Sequence, residues 1–101
     1  MAKLIVMYNQ PSNQAGFEEY YHNVHIPLVQ KLPHLTGAEV HRVLQVMNTT
    51  NESLFLIAEL HFESPETLNH ALSSPEGMEV QGDVKNLMPY LTKPPVIAIV
   101  D

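Results

Sequence analysis

Four short apolar runs, placed before, between and after two helical stretches, restrict the fold of this chain more than any other feature. The first run covers residues 3–8, and the last, 96–100, is continuously apolar and β-branched, which is typical of buried strands. Between them, residues 36–47 and 54–62 alternate in side-chain character around a polar segment at 48–53. This alternation predicts an antiparallel hairpin with a polar turn.

Two helical stretches separate these strands. The first begins after a capping residue, Ser12 or Asn13, and Pro27 inside it predicts a kink or break just before the proline. The second begins at Ser64, which is followed by proline, and restarts at Pro75. The order β-α-β-β-α-β predicts a ferredoxin-like α+β fold, in which helices cover one face of a four-stranded antiparallel sheet.

The length and the apolar pattern predict one domain that pairs with a second copy. The chain has 101 residues, and we assign residues 1–101 to a single domain. Both faces of the first strand carry apolar side chains, for example Leu4 and Val6 against Ile5 and Met7. Because helices cover only one face, the other face would expose a large apolar patch. We therefore predict a homodimer that joins sheet face to sheet face.

Charge and cysteine content exclude several classes of protein. Five Lys and Arg residues against eleven Asp and Glu residues give a net charge of −6, which argues against nucleic-acid and anionic-membrane partners. The chain has no cysteine, so disulfides, thiolate metal sites and cysteine nucleophiles are excluded. No run approaches the roughly 20 apolar residues of a membrane span. We expect a soluble, cytoplasmic protein.

His25 is the strongest candidate for chemistry among the six histidines. It lies one helical turn after Tyr21 and one before Leu28, and hence on the apolar stripe that faces the core. Next to a helix disturbed by Pro27, its imidazole could project into a cleft and exchange a proton with a ligand. The alternative is a buried histidine whose ring is satisfied by a backbone carbonyl or a carboxylate.

Asp83 and two tyrosines complete the candidate catalytic site. Asp83 lies in the last predicted helix, where an inward-facing carboxylate could orient His25, although the spacing alone favours a solvent-facing one. Tyr8 and Tyr21 each combine a flat apolar body with one hydroxyl, which suits a small hydrophobic substrate and also suits a core.

His41 and His61 are candidate substrate-binding residues on the predicted hairpin. A turn centred between residues 50 and 51 would place them within one step of facing each other. They could line a pocket, or pair across a dimer with Glu59 and Arg42.

A metal site is a weaker hypothesis, and we predict neither a metal nor any other cofactor. His22 and His25 lie three residues apart and Glu18 lies four before His22, so a helical pair of ligands is conceivable. A third ligand would have to come from elsewhere, such as Glu59 or His61. The spacing differs from that of a zinc-protease helix, which has histidines four residues apart.

The chain resembles the EthD family of the dimeric α/β-barrel superfamily. The segment from Phe17 to Leu28 (FEEYYHNVHIPL), followed by Leu32-Pro33 and a strand, is similar to the signature of that family, as is segment 74–87 (SPEGMEVQGDVKNL). The similarity extends from about residue 3 to residue 100. Unlike some relatives, the chain has no tryptophan, typical of haem-degrading enzymes, and no cysteine, used by methylmuconolactone isomerase-like enzymes.

The resemblance implies a homodimer in which each protomer has a pocket between helices and sheet, with His25 pointing into it and Asp83 nearby. It also implies kinship with cyclases, isomerases and quinone-forming monooxygenases, most of which need no external cofactor. We therefore expect an enzyme of oxidoreductase, isomerase or cyclase type, with His25 as general acid or base, acting on a hydrophobic oxygenated molecule. The alternative is a non-catalytic metabolite-binding or accessory protein for an oxygenase or degradation pathway.

Overall fold

The computed structural model describes residues 1–47 and 53–101 and confirms the predicted order of strands and helices. The predicted turn at 48–53 falls mainly on residues 48–52, which lie outside the described residues. The four strands are β1 (Ala2–Asn9), β2 (Gly37–Arg42), β3 (Leu54–Phe62) and β4 (Val96–Val100).

The strands form one antiparallel sheet with the order β2-β3-β1-β4. Leu4 in the central strand β1 lies opposite Leu60 of β3 and Ile99 of β4. This order requires two helical crossovers, since β1 and β2 are separated by β3, and β3 and β4 are separated by β1. The topology is that of the ferredoxin-like fold.

Both crossovers are helical and lie against the same face of the sheet. The first is capped by Asn13, whose side chain accepts a hydrogen bond from the Gly16 N–H at 3.0 Å. The helical segments are α1 (Gln14–Tyr20), a π-helix (Tyr21–His25), α2 (Ile26–Val29), α3 (Pro65–Ser73), α4 (Pro75–Leu87) and a short 3-10 helix (Met88–Tyr90). Within the described parts of the chain, no helix is both long and apolar enough to cross a lipid bilayer.

The irregularity predicted before Pro27 takes the form of a widened turn. The proline has no N–H to give to the Asn23 carbonyl, and its ring would clash with that carbonyl in a regular α-helix. The Ile26 N–H instead bonds to the carbonyl of Tyr21, five residues earlier. The chain therefore passes through one π-helical turn and resumes α-helical geometry, so it is bent locally but not broken.

Strand β2 is shorter than predicted, and its register differs. The alternating pattern predicts a strand as far as residue 47, but after the Val43 N–H bonds to the Phe55 carbonyl (2.8 Å) the chain leaves the ladder. The connection to β3 is therefore longer than the polar segment and is not centred on it. As a result His41 lies opposite Ile57 rather than near residue 60, and His61 lies opposite Gly37.

The two faces of the sheet have different environments. The face under the helices forms the core, which contains the following buried strand residues: Ala2, Leu4, Tyr8, Leu56, Ala58, Leu60 and Phe62. The opposite face, here called the open face, carries Ile5, Met7 and Ile57, which are partly buried by their neighbours. At the edge strand of this face, Val96 is 53% exposed and Val100 is 41% exposed.

The corner between α3 and α4 depends on two small residues. Ser74 ends α3 and caps α4, because its hydroxyl accepts a hydrogen bond from the Gly77 N–H at 3.0 Å. A Cβ on Gly77 would lie only 2.1 Å from the Ala71 carbonyl oxygen and 2.6 Å from that of Leu72. Only glycine permits this close approach of the two helices.

Substitution of Gly77 by alanine is expected to destabilise the protein by roughly 1–3 kcal/mol or more, because the backbone must shift to admit the methyl group. Gly82→Ala on the same helix is the matched control. A Cβ there meets nothing within 4 Å, so alanine should stabilise the helix by about 0.5–1 kcal/mol. Urea unfolding of both variants measures the two effects. Equal changes in the unfolding free energy would contradict the close-approach explanation.

Candidate active site

A small apolar cavity lies between the helices and the covered face of the sheet. Its volume is about 60 Å³. Its walls come from strands and helices alike, and include Leu4, Val6, Leu60, Val29, Val80 and Ile97. The polar or ionisable residues that line it are Tyr8, Tyr21, His25 and Gln81. The cavity is thus a largely hydrophobic space with a few polar side chains at its boundary.

His25 reaches this cavity from the end of the π-helical turn. The residue is 5% exposed, in agreement with the core-facing position predicted from its spacing. Its ring stacks on that of Tyr21, with 5.6 Å between centroids and an angle of 22°. Its Nδ1 lies 2.9 Å from Oδ2 of Asp83, whereas its Nε2 makes no hydrogen bond to any described residue.

Asp83 on α4 accepts hydrogen bonds at both carboxylate oxygens. Oδ2 is bonded to His25, while Oδ1 accepts from the Tyr20 hydroxyl at 2.5 Å and from Nδ2 of Asn86 at 2.9 Å. Burial alone would raise the pKa of Asp83, but the hydrogen bonds from Asn86, Tyr20 and His25 outweigh it and lower that pKa. Asp83 is therefore an anion near neutral pH.

The ionised carboxylate determines which nitrogen of His25 carries the proton. A carboxylate accepts hydrogen bonds but donates none, so Nδ1 of His25 must carry the hydrogen of their contact. In the neutral imidazole, Nε2 then has a free lone pair. Such a nitrogen can accept a proton from a bound molecule, and the Asp83 charge stabilises the imidazolium that results.

Tyr8 and Tyr21 also line the cavity and remain protonated. Their rings are 5.5 Å apart in an edge-to-face arrangement. Burial raises the pKa of both hydroxyls, and the neighbouring Tyr21 and Asp83 raise that of Tyr8 further. At neutral pH both phenols are therefore hydrogen-bond donors. These are the two tyrosines that the sequence suggested as substrate-binding residues.

His41 and His61 are not part of this cavity. Successive side chains of a strand point to opposite faces of the sheet. By this alternation both histidines lie on the same face as Ile57, which is the open face, on the side of the sheet away from His25. The suggestion that they bind substrate in the same pocket is corrected by this alternation. They lie instead near two glutamates: His41 Nε2 is 3.3 Å from Glu59 and His61 Nε2 is 3.2 Å from Glu39.

The helical residues considered as metal ligands are also separated. His22 is exposed whereas His25 is buried, and Nδ1 of His25 is already bonded to Asp83. Glu18 contacts the Arg42 guanidinium rather than His22. Within one chain Arg42 is thus paired with Glu18, and pairing of His41 or His61 with Arg42 across a dimer stays a prediction.

Two residues of the site were not identified from the sequence. Asn86 lies three residues after Asp83, so helical spacing could have placed the two side chains next to each other. Tyr20 lies five residues before His25, and in a regular α-helix these two would point in different directions. Only the π-helical turn brings both to Asp83, and that turn is not evident from the apolar pattern.

The fold and site define a class of protein: a ferredoxin-like α+β domain with a histidine–aspartate pair beside an apolar cavity. Residues 9–89 match the family model of the EthD domain. An uncharacterized 11.0 kDa protein in the thcB-thcC intergenic region of Rhodococcus erythropolis is 33% identical over 86 residues, which cover 85% of this chain and 82% of that protein. The chain belongs to the EthD family.

Solved structures agree with this assignment. An EthD (ethyl tert-butyl ether D) family protein from Bacillus halodurans superposes with a TM-score of 0.87 at 30% identity, covering 100% of this chain and 97% of that one. A hydroxynitrile lyase from Passiflora edulis has the same fold. It is 17% identical, with a TM-score of 0.72, and the match covers 98% of this chain and 90% of that one. SnoaB, a cofactor-independent oxygenase from Streptomyces nogalater, also has this fold. It is 10% identical, with a TM-score of 0.66, and the match covers 99% of this chain and 90% of that one.

The lowered pKa of Asp83 predicts how stability depends on pH. Above its ordinary value of 3.8, Asp83 contributes its full stabilisation, and this is lost as the pH falls through the lower folded-state pKa. We expect the Asp83→Asn variant to be less stable than wild type at neutral pH and to lose less stability on acidification. Urea unfolding between pH 7 and pH 2 measures both.

Glu79→Gln is the control, because Glu79 is an exposed carboxylate on the same helix. It should leave the pH profile close to that of wild type. If Asp83→Asn and Glu79→Gln gave the same profile, Asp83 would not be the carboxylate that couples folding to acid.

Proposed function

We propose that this protein is a cofactor-independent enzyme that transfers a proton on a small hydrophobic, oxygenated molecule, with His25 as general acid and base. The observation that carries the proposal is the 2.9 Å contact between His25 Nδ1 and Asp83 Oδ2 at the edge of an apolar cavity. A carboxylate, not a backbone carbonyl, holds the imidazole. This partner holds the ring in one orientation and keeps the proton on Nδ1, so that Nε2 faces a substrate as a proton acceptor.

The reaction that suits this arrangement is proton abstraction next to a carbonyl group. Nε2 of His25 takes the proton, and the electrons of the C–H bond pass into the carbonyl to form an enolate. Return of the proton to another atom of the enolate gives an isomerised product. If the enolate carbon first attacks a second carbonyl of the same molecule, a ring C–C bond forms and the proton goes to the resulting alkoxide, which gives a cyclised product. No external electron donor or acceptor enters this sequence.

Tyr8 and Tyr21 support this proposal. Because their hydroxyls stay protonated, they can donate hydrogen bonds to an oxygen on which negative charge develops. The apolar walls exclude water, which strengthens such interactions. In this scheme Asp83 is a positioning residue, since it acts through His25.

The cavity volume limits the substrate. A site for a small molecule usually has a volume of roughly 300 Å³ or more, whereas this one has about 60 Å³, and each water molecule needs about 10–15 Å³. Only a few heavy atoms fit without movement, so a larger substrate must displace lining side chains. Ile97, which is 54% exposed on the edge strand β4, is at the boundary where such displacement costs least.

Other proteins of this fold are consistent with catalysis. The hydroxynitrile lyase and the cofactor-independent oxygenase named above are enzymes, so a domain of this architecture can support chemistry. Their low identity to this chain leaves the reaction to be determined by its own site residues.

The same small cavity favours a second candidate function, a non-catalytic protein that holds a metabolite or assists an oxygenase. In that case the Asp83–His25 pair would fix the orientation of a bound ligand, because Nε2 of the ring would accept a hydrogen bond from a hydroxyl or N–H of the ligand. Binding would then depend on His25, but the bound molecule would be recovered unchanged.

We also propose that the protein functions as a homodimer joined through the open face. That face presents apolar side chains such as Ile5, Met7 and Ile57, with Val96 and Val100 exposed at its edge. An apolar surface of this kind is unfavourable in water, and a two-fold pair covers it on both copies at once.

The catalytic proposal predicts that His25→Gln reduces turnover by about 10²- to 10⁴-fold, the usual contribution of a general base. A suitable assay follows exchange of the protons adjacent to the carbonyl in a panel of small cyclic ketones and lactones in D₂O by NMR. His22→Gln, at an exposed histidine three residues earlier, should retain wild-type exchange. Full exchange by His25→Gln would remove the assignment. Tight binding of a panel member without exchange would favour the accessory role.

The dimer proposal predicts that Ile57→Lys gives a monomer, because burying a lysine charge in an apolar interface is unfavourable. Sedimentation equilibrium at micromolar concentration distinguishes the two states. Met78→Lys, at a residue that is 64% exposed on α4, is the control and should stay dimeric. A monomeric wild-type protein would rule out the proposed dimer.

A further inference from the structure

The open face carries a cluster of ionisable side chains that plays no part in the cavity. Glu39 of β2 lies directly opposite Glu59 of β3, and His41 and His61 occupy the next positions of the same face on these strands. Lys3 of β1 is the further charged group that faces them, with its Nζ 3.7 Å from Glu59. Two carboxylates and two imidazoles therefore meet on a single patch of the sheet.

The distances within this cluster are short, but the contacts are not hydrogen bonds. His61 Nε2 lies 3.2 Å from Glu39 and 3.9 Å from Glu59, and His41 Nε2 lies 3.5 Å and 3.3 Å from the same two residues. None of these contacts has hydrogen-bonding geometry. His61 Nε2 is also fully buried and has no hydrogen-bond partner among the described residues, although the side chain as a whole is 15% exposed.

Within the chain this arrangement is compensated only in part, by Lys3 and by the imidazoles when they are protonated. Two carboxylates directly opposite each other on adjacent strands repel. A buried ring nitrogen without a partner costs about 1–3 kcal/mol. A positive ion held by both carboxylates and the imidazole would remove both penalties.

We propose that Glu39, Glu59 and His61 form a binding site for a divalent transition-metal ion such as Zn²⁺. One ligand atom from each of the three lies within 4.8 Å of the other two. Ligands at about 2.0–2.2 Å from a tetrahedral zinc ion are separated from each other by about 3.4 Å, which is close to the 3.2 Å between His61 and Glu39. His41 is near enough to supply a fourth ligand after a small side-chain movement.

The donor set determines the class of ion. One imidazole nitrogen with two carboxylates suits zinc and its first-row neighbours, whereas Mg²⁺ prefers oxygen ligands alone and retains its waters. The Glu39 side chain is 56% exposed in the single chain. Because the site lies on the open face, in the proposed dimer the ion would lie at the interface between the two copies. The site is on the opposite side of the sheet from His25, and it is independent of the proposed catalysis.

Isothermal titration of metal-stripped, tag-free protein with ZnCl₂ tests the proposal. We expect one ion per chain with a dissociation constant in the micromolar range, and no competition from excess MgCl₂. Glu39→Gln and His61→Gln should each weaken zinc binding by at least about 10- to 100-fold, because losing a ligand costs no less than losing a residue that only supports one. Melting curves of the metal-free variants establish whether they fold. If His61→Gln fails to fold, Glu39→Gln, a substitution at an exposed position, decides the test.

His34→Gln is the matched control. His34 and His70 form another pair of neighbouring histidines, exposed on the surface with 3.2 Å between ring nitrogens, and could hold zinc adventitiously. Zinc binding should be unchanged in His34→Gln. The proposal is overturned if His34→Gln abolishes binding while Glu39→Gln retains it. It is also overturned if zinc binds wild type no more tightly than about 1 mM.

Discussion

Helices cover only one face of the four-stranded sheet, and the rest of the molecule is organised by this asymmetry. Successive side chains of a strand point to opposite faces, so each strand contributes to an enclosed environment and to an open one. Leu60 lines the cavity beside His25, while its neighbour His61 lies on the other face, next to Glu39. The chain thereby separates two groups of ionisable residues by no more than the thickness of a sheet.

Within the enclosed environment, Asp83 is the residue on which the polar groups converge. A buried carboxylate is costly unless it is well hydrogen-bonded, and Tyr20, Asn86 and His25 together supply three donors. The network leaves His25 in one ring orientation, because its Nδ1 is held by Asp83 and its plane is stacked on Tyr21. An ordered imidazole in an apolar space is a good starting point for proton transfer, since little reorganisation is needed.

The sequence predicted the fold well because the apolar runs that form its strands are unambiguous. The bounds of residues 54–62 and 96–100 were correct, and the inward position of His25 followed from helical spacing. Spacing alone favoured a solvent-facing Asp83, whereas the structure buries it. The end of β2 at Arg42 was missed, because the apolar alternation continues beyond the point where the backbone leaves the ladder. Register depends on the geometry of the connection, which composition does not determine. The positions of His41 and His61 relative to each other were therefore beyond reach.

The π-helical turn at Tyr21–His25 has a consequence for how this family can vary. A π-helical turn is equivalent to one additional residue within an α-helix. Closing the turn into a regular α-helix without removing a residue would rotate the helix before the turn by about 100° relative to the helix after it. Tyr20 would then face away from Asp83. The additional residue and the π-helical turn are therefore coupled, and EthD proteins should either keep both or lose both.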